Sequence, residues 1–174
     1  MGTRGFIIYI IRNKVYFQYN HWISYPHGLG ADLTNCIIKL LQKYSFEELK
    51  EQMYNLKEVN DDTFATKEEI NKLKEFSDLC VSSKNPKEWY VLLRKCQGNL
   101  DLTLKSGYIL SQKFNKIEDC KLDLFIEFIY TVDFNNDKFY CNNELIGPIS
   151  NMPANWYNIS EEHEENPTSN TSTE

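Results

Sequence analysis

Hydrophobic positions are contiguous or alternating near both ends of the chain and have helical spacing in between. Residues 4–12 and 15–19 are rich in aromatic and β-branched side chains, and the polar pair Asn13-Lys14 separates them. Two β-favouring runs joined by a short polar link predict a β-hairpin. Apolar residues occupy both faces of residues 6–11, which is typical of a strand buried inside a sheet.

Four stretches with helical spacing follow the first hairpin. They are predicted over residues 32–44, 45–56, 66–80 and 85–97. Capping-box patterns at Ser45–Glu48 and Thr66–Glu69 mark the starts of the second and third helices. Asn85 as N-cap, Pro86 at the first helical position and Gly98 after the end delimit the fourth helix.

Alternation returns in the last third of the chain. The pattern is weak over residues 99–122: Leu100, Leu102 and Leu104 alternate with polar residues, and residues 108–114 could form a brief helix or a loop. From Leu124 to Phe134 apolar residues alternate with polar ones, and the turn residues 135–137 lead into a return strand over residues 138–142. Two hairpins around four helices favour an α+β fold, in which the N-terminal and C-terminal hairpins form an antiparallel sheet with the helices packed on it.

The end of the chain differs in composition from the rest. Residues 160–174 are acidic, rich in Ser, Thr and Asn, and almost without apolar side chains, which predicts a disordered tail after a single domain over residues 1–159. Of the 25 acidic residues, five lie in this tail, so the body holds 20 against 19 Lys and Arg. A nearly neutral body argues against binding to the nucleic-acid backbone.

Cysteine spacing and hydropathy restrict the compartment. The five cysteines are widely dispersed without a C-x-x-C pair, which fits reduced thiols better than a disulfide framework or a zinc site. The apolar run 6–11 is too short to span a bilayer. These features predict a cytoplasmic protein with no membrane span.

The stretch YNHWISYPHGLG, residues 19–30, holds the densest candidate chemistry. His21 or His27 could act as a general base or metal ligand, because imidazole titrates near neutral pH. A metal site needs three or four converging ligands, and here only Asp32 joins the two histidines. We therefore expect no metal and no cofactor.

A structural role explains the same stretch more simply. Tyr25-Pro26 would restrict the backbone, and Gly28 and Gly30 would supply positive φ before the first helix. Asn20 and His21 would then hydrogen-bond backbone groups of a rigid connection between strand and helix. We favour this interpretation over a catalytic loop.

The N-terminus offers a second candidate for chemistry. Thr3 could serve as an N-terminal nucleophile only after proteolytic removal of two residues. Arg4 could instead form an ion pair with a carboxylate such as Asp133. Asp133 and Asp137 could hold Ca²⁺, but a hairpin turn accounts for the same residues and is preferred.

Several short motifs together resemble a family of small proteins from fungi, amoebal giant viruses, some bacteria and phages. They are Gly2-Thr3-Arg4-Gly5, Tyr19-Asn20-His21, Ser24-Tyr25-Pro26, Gly28-Leu29-Gly30 and residues 130–134. Members begin MGTRG and continue with YNHxDSYPxGLG, so the first thirty residues carry nearly all the likeness. The resemblance implies a shared domain and no particular reaction. Ile23 replaces the motif's Asp, so any chemistry of that carboxylate would be lost here.

Composition adds a hint of origin. Lys, Asn and Ile are abundant while Arg and Ala are scarce, which is typical of an AT-rich genome. Together with the resemblance, this bias implies a viral protein located in host cytoplasm or in a virion.

The leading functional hypothesis is a non-enzymatic domain that binds a protein partner or has a structural role. No complete catalytic motif is present, and the body is nearly neutral. The alternative is a small hydrolase or transferase whose catalytic residues are Thr3, Arg4, Asn20 and His21. These four residues lie at the same end of the predicted N-terminal hairpin, where strand register could bring them together.

Overall fold

The structure is a computed structural model that describes residues 2–114, 118–119 and 125–161. Its strands are β1 (Gly5–Ile11), β2 (Lys14–Asn20), β3 (Lys57–Val59), β4 (Tyr108–Leu110), β5 (Phe128–Asp133), β6 (Lys138–Cys141) and β7 (Glu144–Gly147). Its α-helices are α1 (Ala31–Lys43), α2 (Phe46–Tyr54), α3 (Lys67–Leu73), α4 (Trp89–Leu92) and α5 (Leu100–Ser106). Shorter helical turns occur at Pro26–Gly30, Lys74–Phe76, Arg94–Cys96 and Trp156–Glu161.

Five strands form the main sheet in the order β2-β1-β5-β6-β7. The N-terminal hairpin β1-β2 and the C-terminal hairpin β5-β6 are confirmed, and the fold is α+β as predicted. The prediction of a purely antiparallel sheet is wrong, because β1 and β5 are parallel. Each hairpin places its first strand toward the sheet centre. Strand β2 ends where β1 began, because Asn20 pairs with Gly5. The connection from β2 to β5 starts and finishes at this end of the sheet, so β5 runs in the same direction as β1.

Strand β1 is a buried inner strand of this sheet, between β2 and β5. Ile7, Tyr9 and Ile11 face a large apolar core to which α1 and α2 contribute. Phe6 and Ile8, on the opposite face, belong to a smaller cluster. The prediction of an inner strand is confirmed, and apolar contacts on both faces fix its register, since a shift by one residue would exchange the two faces.

Helices α1, α2 and α3 begin where the sequence predicts them. The capping boxes at Ser45–Glu48 and Thr66–Glu69 form both of their reciprocal hydrogen bonds. Helix α3 ends at Leu73 and a short helical turn covers Lys74–Phe76. The Asp78 backbone N–H then donates to the carbonyl of Val91 instead of continuing the helical ladder. The predicted fourth helix is also shortened to Trp89–Leu92.

The fourth helix is short because its predicted cap forms a turn instead. The Asn85 side chain accepts the backbone N–H of Lys87 at 3.1 Å, and the Asn85 carbonyl accepts that of Glu88. These bonds close a local turn of the kind that competes with helix initiation.

The region after residue 99 differs from both expectations: the alternating leucines lie in helix α5, and residues 108–110 form strand β4. Asn99 caps α5 by accepting the backbone N–H of Leu102 at 3.0 Å, and Gly107 ends the helix with φ of 75°. Strand β4 then pairs with β3 in a separate parallel sheet. Residues 57–96 and 108–110 pack around a second apolar core, and we call them the side lobe.

The C-terminal hairpin turn is held by its own side chains. The Asp133 carboxylate accepts the backbone N–H groups of Asn135 and Asn136 at 2.9 and 3.1 Å. The turn interpretation of these residues is therefore confirmed. The predicted Arg4–Asp133 ion pair is wrong, because Asp133 pairs with Ile10. Arg4 lies at the other end of β1, about 20 Å away at roughly 3.3 Å per residue.

The C-terminal segment packs on the body up to its last short helix. Trp156 donates its indole N–H to the Thr34 hydroxyl at 2.8 Å. The helical turn Trp156–Glu161 spans the predicted domain boundary at residue 159. The rest of the predicted disordered tail, residues 162–174, lies outside the described residues, as do Cys120 and Leu124. Among the described residues, no helix has the length and hydropathy needed to cross a membrane.

Two buried tyrosines provide a matched test of the core. The Tyr130 hydroxyl donates to the Ser24 carbonyl at 2.7 Å, whereas the Tyr9 hydroxyl is buried without a partner among the described residues. We expect Tyr130→Phe to lower the free energy of unfolding by about 1 kcal/mol and Tyr9→Phe to leave it unchanged or raise it. Urea unfolding measures both, and an equal loss in the two variants would contradict the assignment.

Candidate functional site

The four residues proposed as catalytic lie at one end of the N-terminal hairpin. Asn20, the last residue of β2, pairs with Gly5, so Thr3 and Arg4 precede β1 beside the segment that starts with His21. The Thr3 carbonyl accepts the backbone N–H of Ser24 at 3.3 Å. The structure therefore brings these segments together, although Thr3 is only 1% exposed.

Asn20 braces the backbone of the loop that follows β2. Its side-chain amide donates to the Trp22 carbonyl at 2.6 Å and to the Ser24 hydroxyl at 2.9 Å. Gly98 approaches Asn20 closely with φ of 70°, and a Cβ there would lie 2.6 Å from the Asn20 amide oxygen. Both amide hydrogens of Asn20 are thus engaged in holding the loop.

His21 is held by its neighbour Tyr19 and lies near two arginines, Arg4 and Arg94. The Tyr19 hydroxyl lies 2.7 Å from His21 Nδ1. Partial burial lowers the pKa of His21, and the positive charges of Arg4 and Arg94 lower it further. A depressed pKa keeps the imidazole neutral at physiological pH and makes it a weaker base.

Ser24 holds this loop through three hydrogen bonds, a role that sequence reasoning did not assign to it. Ser24 is fully buried, its N–H binds Thr3, its hydroxyl binds Asn20 and its carbonyl binds Tyr130. A Cβ on Gly5 would lie 2.8 Å from Ser24 Cβ. A serine between Ile23 and Tyr25 gives no local signal for this role, since two of its three partners, Thr3 and Tyr130, come from other segments of the chain.

The prediction that Gly28 and Gly30 supply positive φ is wrong. Positive φ does not occur at Gly28 or Gly30 but at Ile23, with φ of 53°. A Cβ on Gly28 would lie 2.5 Å from the Ile23 carbonyl, and one on Gly30 would lie 3.1 Å from the Tyr130 ring. These glycines are needed for close packing of the π-helical turn Pro26–Gly30.

Trp22 and Ile23 project from the loop that Asn20 and Ser24 hold in place, and we call these two residues the apolar ridge. Their exposed fractions are 55% and 64%. One side of the Trp22 ring contacts the backbone of Gly2 so closely that a Cβ there would overlap it. Left-handed backbone is a genuine outlier for a β-branched residue. It persists here because the Ile23 carbonyl accepts the N–H of Leu29 at 2.9 Å.

A cleft lies on each side of the apolar ridge, and Trp22 borders both. The first, the lysine cleft, has a volume of about 820 Å³ and is lined by Lys39, Lys43 and Lys95 among other residues. The second, the acidic cleft, has a volume of about 700 Å³ and lies between the ridge and the side lobe. Its walls include His21 and residues from 61–64 and 81–94. No local sequence pattern could reveal that these segments lie close to His21.

Other candidate groups lie apart from a catalytic arrangement. The ring of His27 stacks on Tyr25, with centroids 5.3 Å apart. Within the described ranges, no group of three or more His, Cys, Asp or Glu side chains could hold a metal ion. The described cysteines, Cys36, Cys80, Cys96 and Cys141, are free thiols.

Comparison with known proteins adds no relative: no family model, no curated protein and no solved structure matches this chain.

The contact between Gly5 and Ser24 is testable by adding one methyl group. In Gly5→Ala the new Cβ would lie 2.8 Å from Ser24 Cβ and 2.9 Å from the Phe128 carbonyl oxygen. We expect a loss of about 1–3 kcal/mol in the free energy of unfolding, typical of overpacking. In a double-mutant cycle, Ser24→Gly should recover part of that loss. Strict additivity of the two substitutions would contradict the contact.

The backbone strain at Ile23 is testable in the opposite direction. Asn tolerates left-handed φ far better than a β-branched residue. We expect Ile23→Asn to raise the free energy of unfolding by about 1 kcal/mol, since a single unfavourable φ/ψ position costs about that much. Ile23→Val keeps the β-branch and should show no gain. Thermal unfolding separates the two, and a destabilised Ile23→Asn would show that the isoleucine side chain has a packing role.

Proposed function

We propose that this chain is a non-enzymatic interaction domain that binds a protein partner through the apolar ridge. The observation that carries this proposal is the pair Trp22-Ile23, two large apolar side chains exposed side by side on a braced loop. Backbone strain that a surrounding structure maintains is often associated with function. Tryptophan is enriched among the residues that dominate binding energy at protein interfaces.

The packing of the loop supports a binding role over a catalytic one. Hydrogen bonds among Asn20, Ser24 and Tyr130 hold the loop in one conformation. The apolar ridge therefore loses little conformational entropy when it binds a partner. A rigid base and an exposed apolar tip suit recognition of a complementary surface.

The alternative of a small hydrolase or transferase has weaker support. His21 lines the acidic cleft, which favours a role near a bound molecule. An attacking hydroxyl must reach its substrate, however, and Thr3 is buried. The Asn20 amide hydrogens, which could stabilise an oxyanion, are both used within the loop.

The resemblance noted in the sequence fits a shared structural role. Gly5 of the first motif contacts Ser24 of the second, and Asn20 binds Ser24 within the second motif. These contacts support a common way of attaching the N-terminus to the loop. We keep cytoplasm, or a virion if the protein is viral, as the proposed location.

Removal of the ridge should abolish partner binding without loss of the fold. We expect the intact chain, used as bait in extract of its native cell, to retain a partner that Trp22→Ala and Ile23→Asn each reduce about tenfold or more, a loss of roughly 1.4 kcal/mol. Leu145→Ala on β7 is the matched control, because Leu145 is equally exposed at 57%. Quantitative mass spectrometry of the retained proteins measures the difference.

Two results would overturn this proposal. One is equal retention of every captured protein by wild type and both ridge variants. The other is a turnover that His21→Ala abolishes while the chain stays folded, which would favour the hydrolase or transferase alternative.

A further inference from the structure

The acidic cleft combines aromatic rings with carboxylates. Trp22 contributes from the ridge, while Phe64 and Tyr90 contribute from the side lobe. Phe64 is 66% exposed, so its ring is available to a ligand. Asp61 and Glu88 supply the carboxylates of the same cleft.

The Asp61 carboxylate lies in surroundings that disfavour its negative charge. Partial burial raises the pKa of Asp61, and the negative charges of Asp62 and Glu88 raise it further. Asp62 already has a cationic partner, since Lys113 lies 2.7 Å from its carboxylate. A second cation placed between Asp61 and Glu88 would relieve their repulsion.

The wall of the cleft already shows how a guanidinium fits it. Arg94 lies over the Tyr90 ring, with 5.5 Å between the guanidinium carbon and the ring centroid. This is the geometry of a cation–π contact. With one arginine against two carboxylates, the cleft keeps a net negative charge.

We propose that the acidic cleft receives a lysine or arginine side chain of the protein partner that the apolar ridge binds. The carboxylates of Asp61 and Glu88 bind the cationic group, and the neighbouring rings pack on its aliphatic stem and positive charge. This inference rests on the proposed function, since the ridge borders the cleft through Trp22. It adds the chemistry of the partner: a basic residue next to an apolar contact.

The three tryptophans of the chain allow a direct test by NMR. Trp22 and Trp89 line the acidic cleft, whereas Trp156 packs on Tyr130 and serves as an internal control. The probe is the peptide N-acetyl-Gly-Lys-Gly-amide, with its Nε-acetyl-lysine form as the uncharged control. We expect the lysine peptide to shift the indole N–H signals of Trp22 and Trp89 at millimolar concentration and the acetylated peptide to shift neither.

Variants that remove a negative or a positive charge from the cleft should change peptide affinity in opposite directions. Asp61→Asn and Glu88→Gln should each weaken peptide binding about two- to fivefold, the range for an exposed ion pair. Glu144→Gln on β7 should have no effect. Arg94→Met removes a like charge and should strengthen binding about twofold, a gain that misfolding could not produce. Binding of the acetylated peptide as strong as that of the lysine peptide, or no shift with either, would overturn the inference.

The two proposals can fail separately. If the lysine peptide does not bind but Trp22→Ala still loses the captured partner, the cleft inference is wrong and the interaction surface stands. If the peptide binds but partner retention is independent of Trp22, the ridge is wrong as the contact surface. If both hold, Asp61→Asn with Glu88→Gln should reduce partner retention while Glu144→Gln does not.

Discussion

The structure depends on the burial of β1 between β2 and β5. This strand pairs with β2 on one side and β5 on the other, and apolar side chains cover both of its faces. The pairing fixes where the N-terminus emerges. It places Gly5 against Ser24, so that the segment before β1 and the loop after β2 pack as one unit.

This packed unit fixes the conformation of the apolar ridge. Hydrogen bonds to Ser24 from Asn20 and Tyr130 leave the loop no freedom to relax, so Ile23 keeps a backbone conformation that isoleucine alone disfavours. The side lobe then supplies the opposite wall of the acidic cleft. An apolar projection and a charged cleft are thus adjacent because the sheet and the side lobe meet at the end of β2.

Chemistry that looked catalytic in the sequence has mainly structural partners in the fold. Asn20 and Ser24 satisfy each other and nearby backbone groups, and Asp133 caps its own turn. His21 borders the acidic cleft, and Asn20 borders the lysine cleft. Polar residues near Gly and Pro commonly hold turns in this way. Their density in YNHWISYPHGLG therefore indicates a tightly hydrogen-bonded loop.

The sequence by itself determined the two hairpins, the inner strand β1 and the starts of α2 and α3, because local turn chemistry, periodicity and capping boxes specify them. It did not determine the parallel pairing of β1 with β5, the helix α5 or the early end of α3. Those depend on hydrogen bonds and packing between residues far apart in the chain, such as Asp78 with Val91. Only the tertiary structure could therefore place Trp22 beside Asp61 and Glu88.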